Sequence, residues 1–206
     1  MNEKFFALPE EKQNRIINAG YRVFSQNSYK KSPVGEVAAE AGISKSLLFH
    51  YFRNKQALYL FLWNKGAEVT MEYLNRYGCY EPGSLFEQME RGMKAKMEVM
   101  RRYPHMTAFV LKAFYEKDPA VRPAIQKSYR YYFGLKASKA LLQADPEVFV
   151  PGLDLEMMYR EMYWASEGYL WEMVQRDDLD VDRLERDFVR LMDFWKRVYL
   201  RKKEGE

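Results

Sequence analysis

One interruption constrains this chain more than any other feature. In the stretch AEAGISKSLLFHYFRNKQAL, Ala39 to Leu58, an alanine-rich helical pattern halts at Gly42-Ile43-Ser44. A short second helix follows at once, carrying Lys, Ser, Phe, His and Tyr. Two helices separated by so few residues must cross, which is the geometry of a helical hairpin with a tight glycine turn. Ala38 and Ala41 keep the first helix thin at the crossing. Gly42 supplies the positive φ that ends it, Ile43 plugs the turn, and Ser44 is a natural N-cap for the next helix. Leu48 and Phe52, four apart, face the first helix, so Lys45, Ser46, Phe49 and His50 share the outward arc.

That arc is short, cationic, polar and aromatic. Burying it in a core would strand its polar groups. A plain hairpin with a solvated face is the bland reading, and an exposed Phe and Tyr beside His and Lys argue against it. The arc suits a helix laid in a DNA major groove, where base edges offer donors, acceptors and thymine methyls. Charge agrees. The whole formal excess of +4 lies in residues 1–63, and the remainder is neutral. A basic module beside a neutral body is the pattern of a polyanion reader.

Elsewhere the apolar residues recur at helical spacing, with no sustained period of two. Pro9 stands at the first position of a helix with Glu10 and Glu11 in its first turn and a buried stripe of Ile16, Ile17, Val23 and Phe24. Ser32 reads as the N-cap, and Pro33 as the first turn, of the helix that Gly42 ends. Helices are then expected over about 44–52, 54–77, 84–103, 104–117, 119–144, 154–176 and 181–201, punctuated by Pro and Gly. The fold class is all-α with about nine helices. Residues 1–53 form a helix-turn-helix domain, and residues 54–206 form a larger helical regulatory domain. The single cysteine, Cys79, excludes an internal disulfide. No signal peptide and no apolar run long enough to span a bilayer is visible, so a cytoplasmic protein is expected.

The segment VAAEAGISKSLLFHYFRNKQAL resembles the DNA-binding domain of the TetR (tetracycline-repressor) family of transcriptional regulators. The likeness covers about residues 9–63: the Ala-Gly-Ile-Ser turn, the aromatic-His-Tyr-Phe cluster, and Asn54-Lys55 opening the next helix. It implies that Ser32 and Pro33 lie against the DNA backbone and that Ser44 caps the reading helix. It also implies that Lys45, Ser46 and Leu47 meet base edges, that Phe49, His50 and Tyr51 meet backbone and bases, and that Lys55 meets a phosphate. Three positions depart from the family's habit. Phe49 replaces a common Tyr and cannot hydrogen-bond a phosphate. Leu47 stands where small or polar residues are usual and can meet a thymine methyl. Pro33 removes an N–H.

The last helix carries Leu184, Phe188, Leu191, Trp195 and Val198 at spacings of four, three, four and three, a heptad-like seam. A half-site reader needs symmetry, so these positions are expected to form a homodimer interface with the preceding helix. A methionine stripe, Met89, Met93 and Met97, with Phe109, Tyr129, Tyr132, Tyr159, Tyr163 and Ser166, is the candidate lining for a small apolar or aromatic effector. Ordinary core packing competes with that reading. No catalytic constellation, metal-ligand spacing or cofactor motif is present, and no enzyme activity is expected. The chain therefore reads as a ligand-responsive regulator, more often a repressor, that binds an inverted-repeat duplex operator as a dimer. An all-helical small-molecule binding protein or enzyme, whose N-terminal hairpin serves a protein partner, is the alternative.

Overall fold

Apolar periodicity punctuated by Pro and Gly becomes helix almost throughout. The computed structural model describes residues 3–131, 144–176 and 178–202. Among these are α1 (Glu3–Phe6), α2 (Glu10–Gln26), α3 (Val34–Glu40), α4 (Lys45–Phe52), α5 (Lys55–Arg76), α6 (Leu85–Arg102), α7 (Pro104–Phe114), α8 (residues 122–131), α9 (Leu155–Gln175) and α10 (Val181–Tyr199). The only extended pairing among the described residues is one isolated antiparallel bridge, Phe149 with Leu200. The fold is all-α, as the spacing predicts. The unanticipated helix is α1, a single turn whose Phe-Phe pair carries no periodicity to read.

The boundaries follow local chemistry. Ser84 and Glu87 form a reciprocal capping box at α6: the Glu87 carboxylate accepts from the Ser84 N–H (2.8 Å) and the Ser84 hydroxyl from the Glu87 N–H (3.3 Å). Asp154 accepts from the Met157 N–H and Asp180 from those of Asp182 and Arg183. Gly42 and Gly78 end α3 and α5 at φ +69° and +66°. In each case the next two N–H groups turn back onto helix carbonyls: Gly42 to Ala39 and Ile43 to Ala38, Gly78 to Asn75 and Cys79 to Leu74. This Schellman arrangement needs a left-handed residue, which is why glycine stands there.

The chain packs as two units. The first holds residues up to Val69 together with Arg102–Tyr131. Segment 3–53 thus shares its core with the first half of α5 and with α7, which lies along α2. Ile16, Phe24, Val37, Leu48, Leu62 and Phe109 are buried there. A Cβ at Gly20 would sit 2.7 Å from Leu62, so α2 and α5 approach as closely as glycine allows. One residue on, the Tyr21 hydroxyl donates to the Leu62 carbonyl (2.9 Å), and burial pushes that phenol well above its usual range.

The second unit holds Thr70–Arg101 and the described residues from 144 onward. Its core gathers Leu85, Phe86, Phe149, Met158, Met162, Met192 and Trp195, with Met89 and Tyr159 packed against it. At its surface Arg101 binds Asp182 and Glu185 together, and Lys196 binds Glu90. No helix among the described residues is long and apolar enough to cross a membrane.

Candidate nucleic-acid interface

The α3–α4 pair is built as its residues dictate. Ala38 and Ala41 are buried at the crossing, and Leu48 and Phe52 close the inner side of α4. Ser44 caps α4, its hydroxyl accepting from the Leu47 N–H at 3.1 Å. With Leu48 and Phe52 inward, Lys45, Ser46, Leu47 and His50 all face solvent. The Lys45 ammonium rests 5.9 Å from the half-buried Phe49 ring, which holds the cation near the helix start. Tyr51 is half-buried and meets the Phe5 ring edge-on at 6.1 Å, so only its margin is available outside.

Behind α4 the unexpected α1 does structural work. Phe5 is 1% exposed, with its ring 4.8 Å from Phe52 of α4 and 5.3 Å from Phe61 of α5. It wedges the reading helix against its neighbour. Arg53 joins the two helices at φ +51° and ψ −49°, with the Asn54 N–H donating to the Phe52 carbonyl across it. This is a γ-turn, and a non-glycine residue there carries strain of about 1–3 kcal/mol. Nothing in the sequence announces it. Asn54 then caps α5, its carbonyl oxygen accepting from the Ala57 N–H (2.8 Å).

Two expected backbone contacts change. Pro33, not Ser32, is the cap residue of α3, and Ser32 is buried. The Ser32 hydroxyl donates to the Ser28 carbonyl (2.8 Å), so it does not reach outward. One buried hydroxyl ahead of a helix has the composition of a cap, and only its packing distinguishes the two. The Lys55 ammonium is also engaged: it donates to the carbonyls of Ser32 (2.7 Å) and Lys30 (3.1 Å) and lies 5.0 Å from the Tyr29 ring. Exposed Lys30, Lys31 and Arg53, counted in the basic total but given no role by the sequence reading, stand at the two ends of this surface.

The expected effector residues fall into both packing units. Phe109 is core of the first, its ring 4.9 Å from Tyr59 and 5.5 Å from Tyr21, which leaves no face for a ligand. Tyr129, half-buried, stacks at 4.5 Å on Phe114 in that unit. Met97 is buried in the second unit, and Met89, Met93, Tyr159, Tyr163 and Ser166 are half-buried there. The Ser166 hydroxyl is spent on the Met162 carbonyl (2.7 Å). Tyr132 lies outside the described residues. A polar group the sequence reading passed over is Tyr80, whose hydroxyl reaches the Met71 sulfur (3.7 Å) and whose phenol burial pushes up to about 12.

The expected seam on α10 divides. Leu184 and Trp195 are buried within the chain, Phe188 and Leu191 are half-buried, and Val198 is exposed. Leu184 and Trp195 already have their cover and present nothing to a second chain. The physical reason is rotational: at about 100° per residue, Phe194 and Val198 lie beyond the edge of the stripe that Leu184, Met192 and Trp195 form. Phe194 instead faces out, and α9 adds exposed Met157 and Trp164. Between the helices runs an open groove bordered by Ala165, Tyr169, Leu191 and Phe194, where the Tyr169 hydroxyl donates to Asp187.

Comparison with known proteins follows this geometry. Residues 16–61 match the family described as bacterial regulatory proteins, tetR family. The chain is 28% identical over 93 residues to the HTH-type transcriptional regulator RutR of Escherichia coli (strain K12), covering 45% of this chain and 43% of RutR. It thus matches less than half the length of the first curated relatives. Among solved structures, a TetR family transcriptional regulator from Chloroflexus aurantiacus superposes with a TM-score of 0.68 at 21% identity, covering 98% of this chain and 99% of its own. The transcriptional regulator FadR from Bacillus subtilis, solved in complex with stearoyl-CoA, gives 0.64 at 18%, covering 87% and 96%. At these identities the solved structures speak for the fold.

Proposed function

We propose, on the match of residues 16–61 to the TetR family of bacterial regulatory proteins, that this chain is a cytoplasmic, ligand-responsive, non-enzymatic repressor that binds an inverted-repeat operator as a homodimer. One observation carries the reading. The exposed side chains of α4 are a cation, a hydroxyl, an aliphatic group and an imidazole, displayed on a helix whose start, crossing and inner face are all fixed. A helix so presented can enter a major groove: Lys45 and Ser46 meet base edges, Leu47 a thymine methyl, and His50 and the margins of Phe49 and Tyr51 the far rim. Pro33 and Ser44 lie where the helix N-termini approach the backbone.

In this reading DNA recognition resides in residues 1–53 and regulation in 54–206, with α5 as the common element. Two reading helices require a two-fold axis, and Met157, Trp164, Phe194 and Val198 supply an apolar surface suited to one. The effector is a small, largely apolar or aromatic molecule. The methionine-rich interior of the second unit supports this, because thioethers adapt to irregular apolar shapes. The acyl-CoA bound by the FadR structure makes stearoyl-CoA a first candidate.

The test is selection of bound sequences from random duplex DNA, followed by gel shifts on the winner across a salt series and with stearoyl-CoA or an apolar and aromatic library. The expected outcome is an inverted repeat whose affinity falls steeply with salt and is weakened by one ligand. Linkage requires operator DNA to weaken that ligand's binding by the same factor. Salt-independent retention of every duplex would sink the reading.

A further inference from the structure

The loop between α2 and α3 is fixed from several sides. The Ser28 carbonyl accepts from the Lys31 and Ser32 N–H groups and from the Ser32 hydroxyl. The Tyr29 N–H donates to the Glu116 carboxylate at 2.7 Å, from the segment that follows α7. The Lys30 and Ser32 carbonyls accept from the Lys55 ammonium, the first residue of α5. The side chains of Lys30 and Lys31, on the same loop, are exposed, and their ammonium groups make no ion pair or hydrogen bond among the described residues.

Lys55 has already given two of its three N–H donors to carbonyls, lies against Tyr29, and feels the Asp118 carboxylate. One N–H donor is left for a phosphate, and the ammonium is held inward by its partners inside the domain. The Lys30 and Lys31 side chains have none to abandon, and they stand on the loop that Lys55 holds.

We propose that Lys55 is a positioning residue that clamps the α2–α3 loop, and that the phosphate contacts at this edge of the interface are made by Lys30 and Lys31. The assignment rests on the DNA-binding reading above. It inverts the role that family likeness implies for Lys55. A clamp and a contact make different demands on salt. Each phosphate neutralised by a protein cation releases condensed counterions and adds about 0.9 to the slope of log affinity against log salt. A group that only shapes the loop changes affinity without changing the slope.

The experiment measures the affinity of the full chain for a random-sequence duplex across a salt series, for the wild type, Lys55→Met, Lys30→Ala, Lys31→Ala, and Lys55→Met combined with both alanines. Methionine keeps the stem against Tyr29 and removes the donors. The expected result is a loss of slope of about one for each alanine variant. Lys55→Met should lower affinity about tenfold at unchanged slope and have little further effect once Lys30 and Lys31 are gone. Lys30→Ala and Lys31→Ala sit on an exposed turn and threaten no fold, so their slopes decide the matter even if Lys55→Met destabilises the domain. Unchanged slopes for both alanines would overturn the proposal. So would a slope loss of about one for Lys55→Met with additive effects, which would make Lys55 the phosphate contact itself. A wild type that retains no duplex at any salt overturns the DNA-binding reading and this assignment with it.

Discussion

On α4 the residues facing solvent are Lys45, Ser46, Leu47 and His50; on α9 and α10 they include Met157, Trp164, Phe194 and Val198. Both are outward faces of helices with a well-buried inner side, yet water treats them oppositely. The α4 face is mostly satisfied by solvent, so a partner must bring charge and hydrogen bonds to displace it. The α9–α10 face gains from cover of any matching shape, since burying each large apolar side chain is worth about 1.5–3 kcal/mol. The difference teaches that exposure is not one property: the same degree of accessibility leaves a charged, hydrogen-bonding surface in one place and an apolar one in the other.

Neighbouring residues on α10 give the sharpest way to break that comparison. Trp195 is 1% exposed and Phe194 is 50% exposed. Trp195→Ala should cost about 3–5 kcal/mol of folding stability by leaving a cavity against Phe86, Met158 and Met162. Phe194→Ala should leave the unfolding of a dilute, dissociated chain nearly unchanged. Denaturant titration of both variants at low concentration decides it. Equal losses would mean that Phe194 belongs to the chain's own core and that the outer stripe is no separate surface.

The next effect is on association. Trp164 is 58% exposed on α9, and an aromatic residue at the centre of an interface is the usual energetic anchor. Trp164→Ala should weaken self-association by about 2–4 kcal/mol, read by sedimentation over a concentration series. It should also lower affinity for an inverted repeat far more than for a half-site. A wild type that remains monomeric at all concentrations ends the two-fold reading, and leaves the α4 face unaffected.

These two faces were unequally legible in the sequence. The α3–α4 hairpin could be read residue by residue because its determinants are local: Gly42 forces the turn, Ser44 caps, and Leu48 and Phe52 sit one turn apart. The expected seam on α10 was read as one stripe, and the structure divides it between the chain's own core and its surface. A run of apolar residues at spacings of four and three fixes an arc, but which edge of that arc meets the chain's own core depends on α6 and α9, distant in sequence. Leu184 and Trp195 went inward for that reason. Lys55 and Ser32 are hard to read for the same reason at smaller scale, because a cation or hydroxyl near a helix start looks alike in sequence whether it faces outward or bonds a carbonyl. The wedge of Phe5 and the turn at Arg53 left no periodic or compositional trace.

On the α4 face itself, the proposed function separates positions that would contact bases from those that would merely present them. Lys45→Ala should cost about 1–3 kcal/mol on the selected operator and relax preference at one base position, because a lost bidentate or directed contact removes discrimination. Its penalty on random duplex should be much smaller. Comparing selections with wild type and variant checks this. An unchanged preferred sequence with uniformly weaker binding would move Lys45 from base edge to backbone.

The smallest expected effect sharpens the comparison through a feature the two regions share. Ser44 caps α4 and Asp154 caps α9, each side chain accepting from the N–H three residues on. Removing either cap should cost about 1 kcal/mol of stability. The consequences should differ, because α4 has eight residues and α9 has twenty-one. In α9 one lost cap frays a single turn of a helix held along its length by Met158, Met162 and Met173. In α4 the first turn is nearly half the helix, and it carries Lys45, Ser46 and Leu47. Fraying there unfixes the very groups that face the groove, and short helices have little intrinsic stability to resist it. Ser44→Ala should therefore weaken operator binding by more than its effect on global unfolding, while Asp154→Ala should change both stability and self-association only slightly. Amide exchange at Leu47 and Leu48 reports the fraying directly. If Ser44→Ala lowers stability yet leaves operator affinity and exchange at these amides unchanged, the reading face is held by its inner packing alone and the cap has no share in recognition.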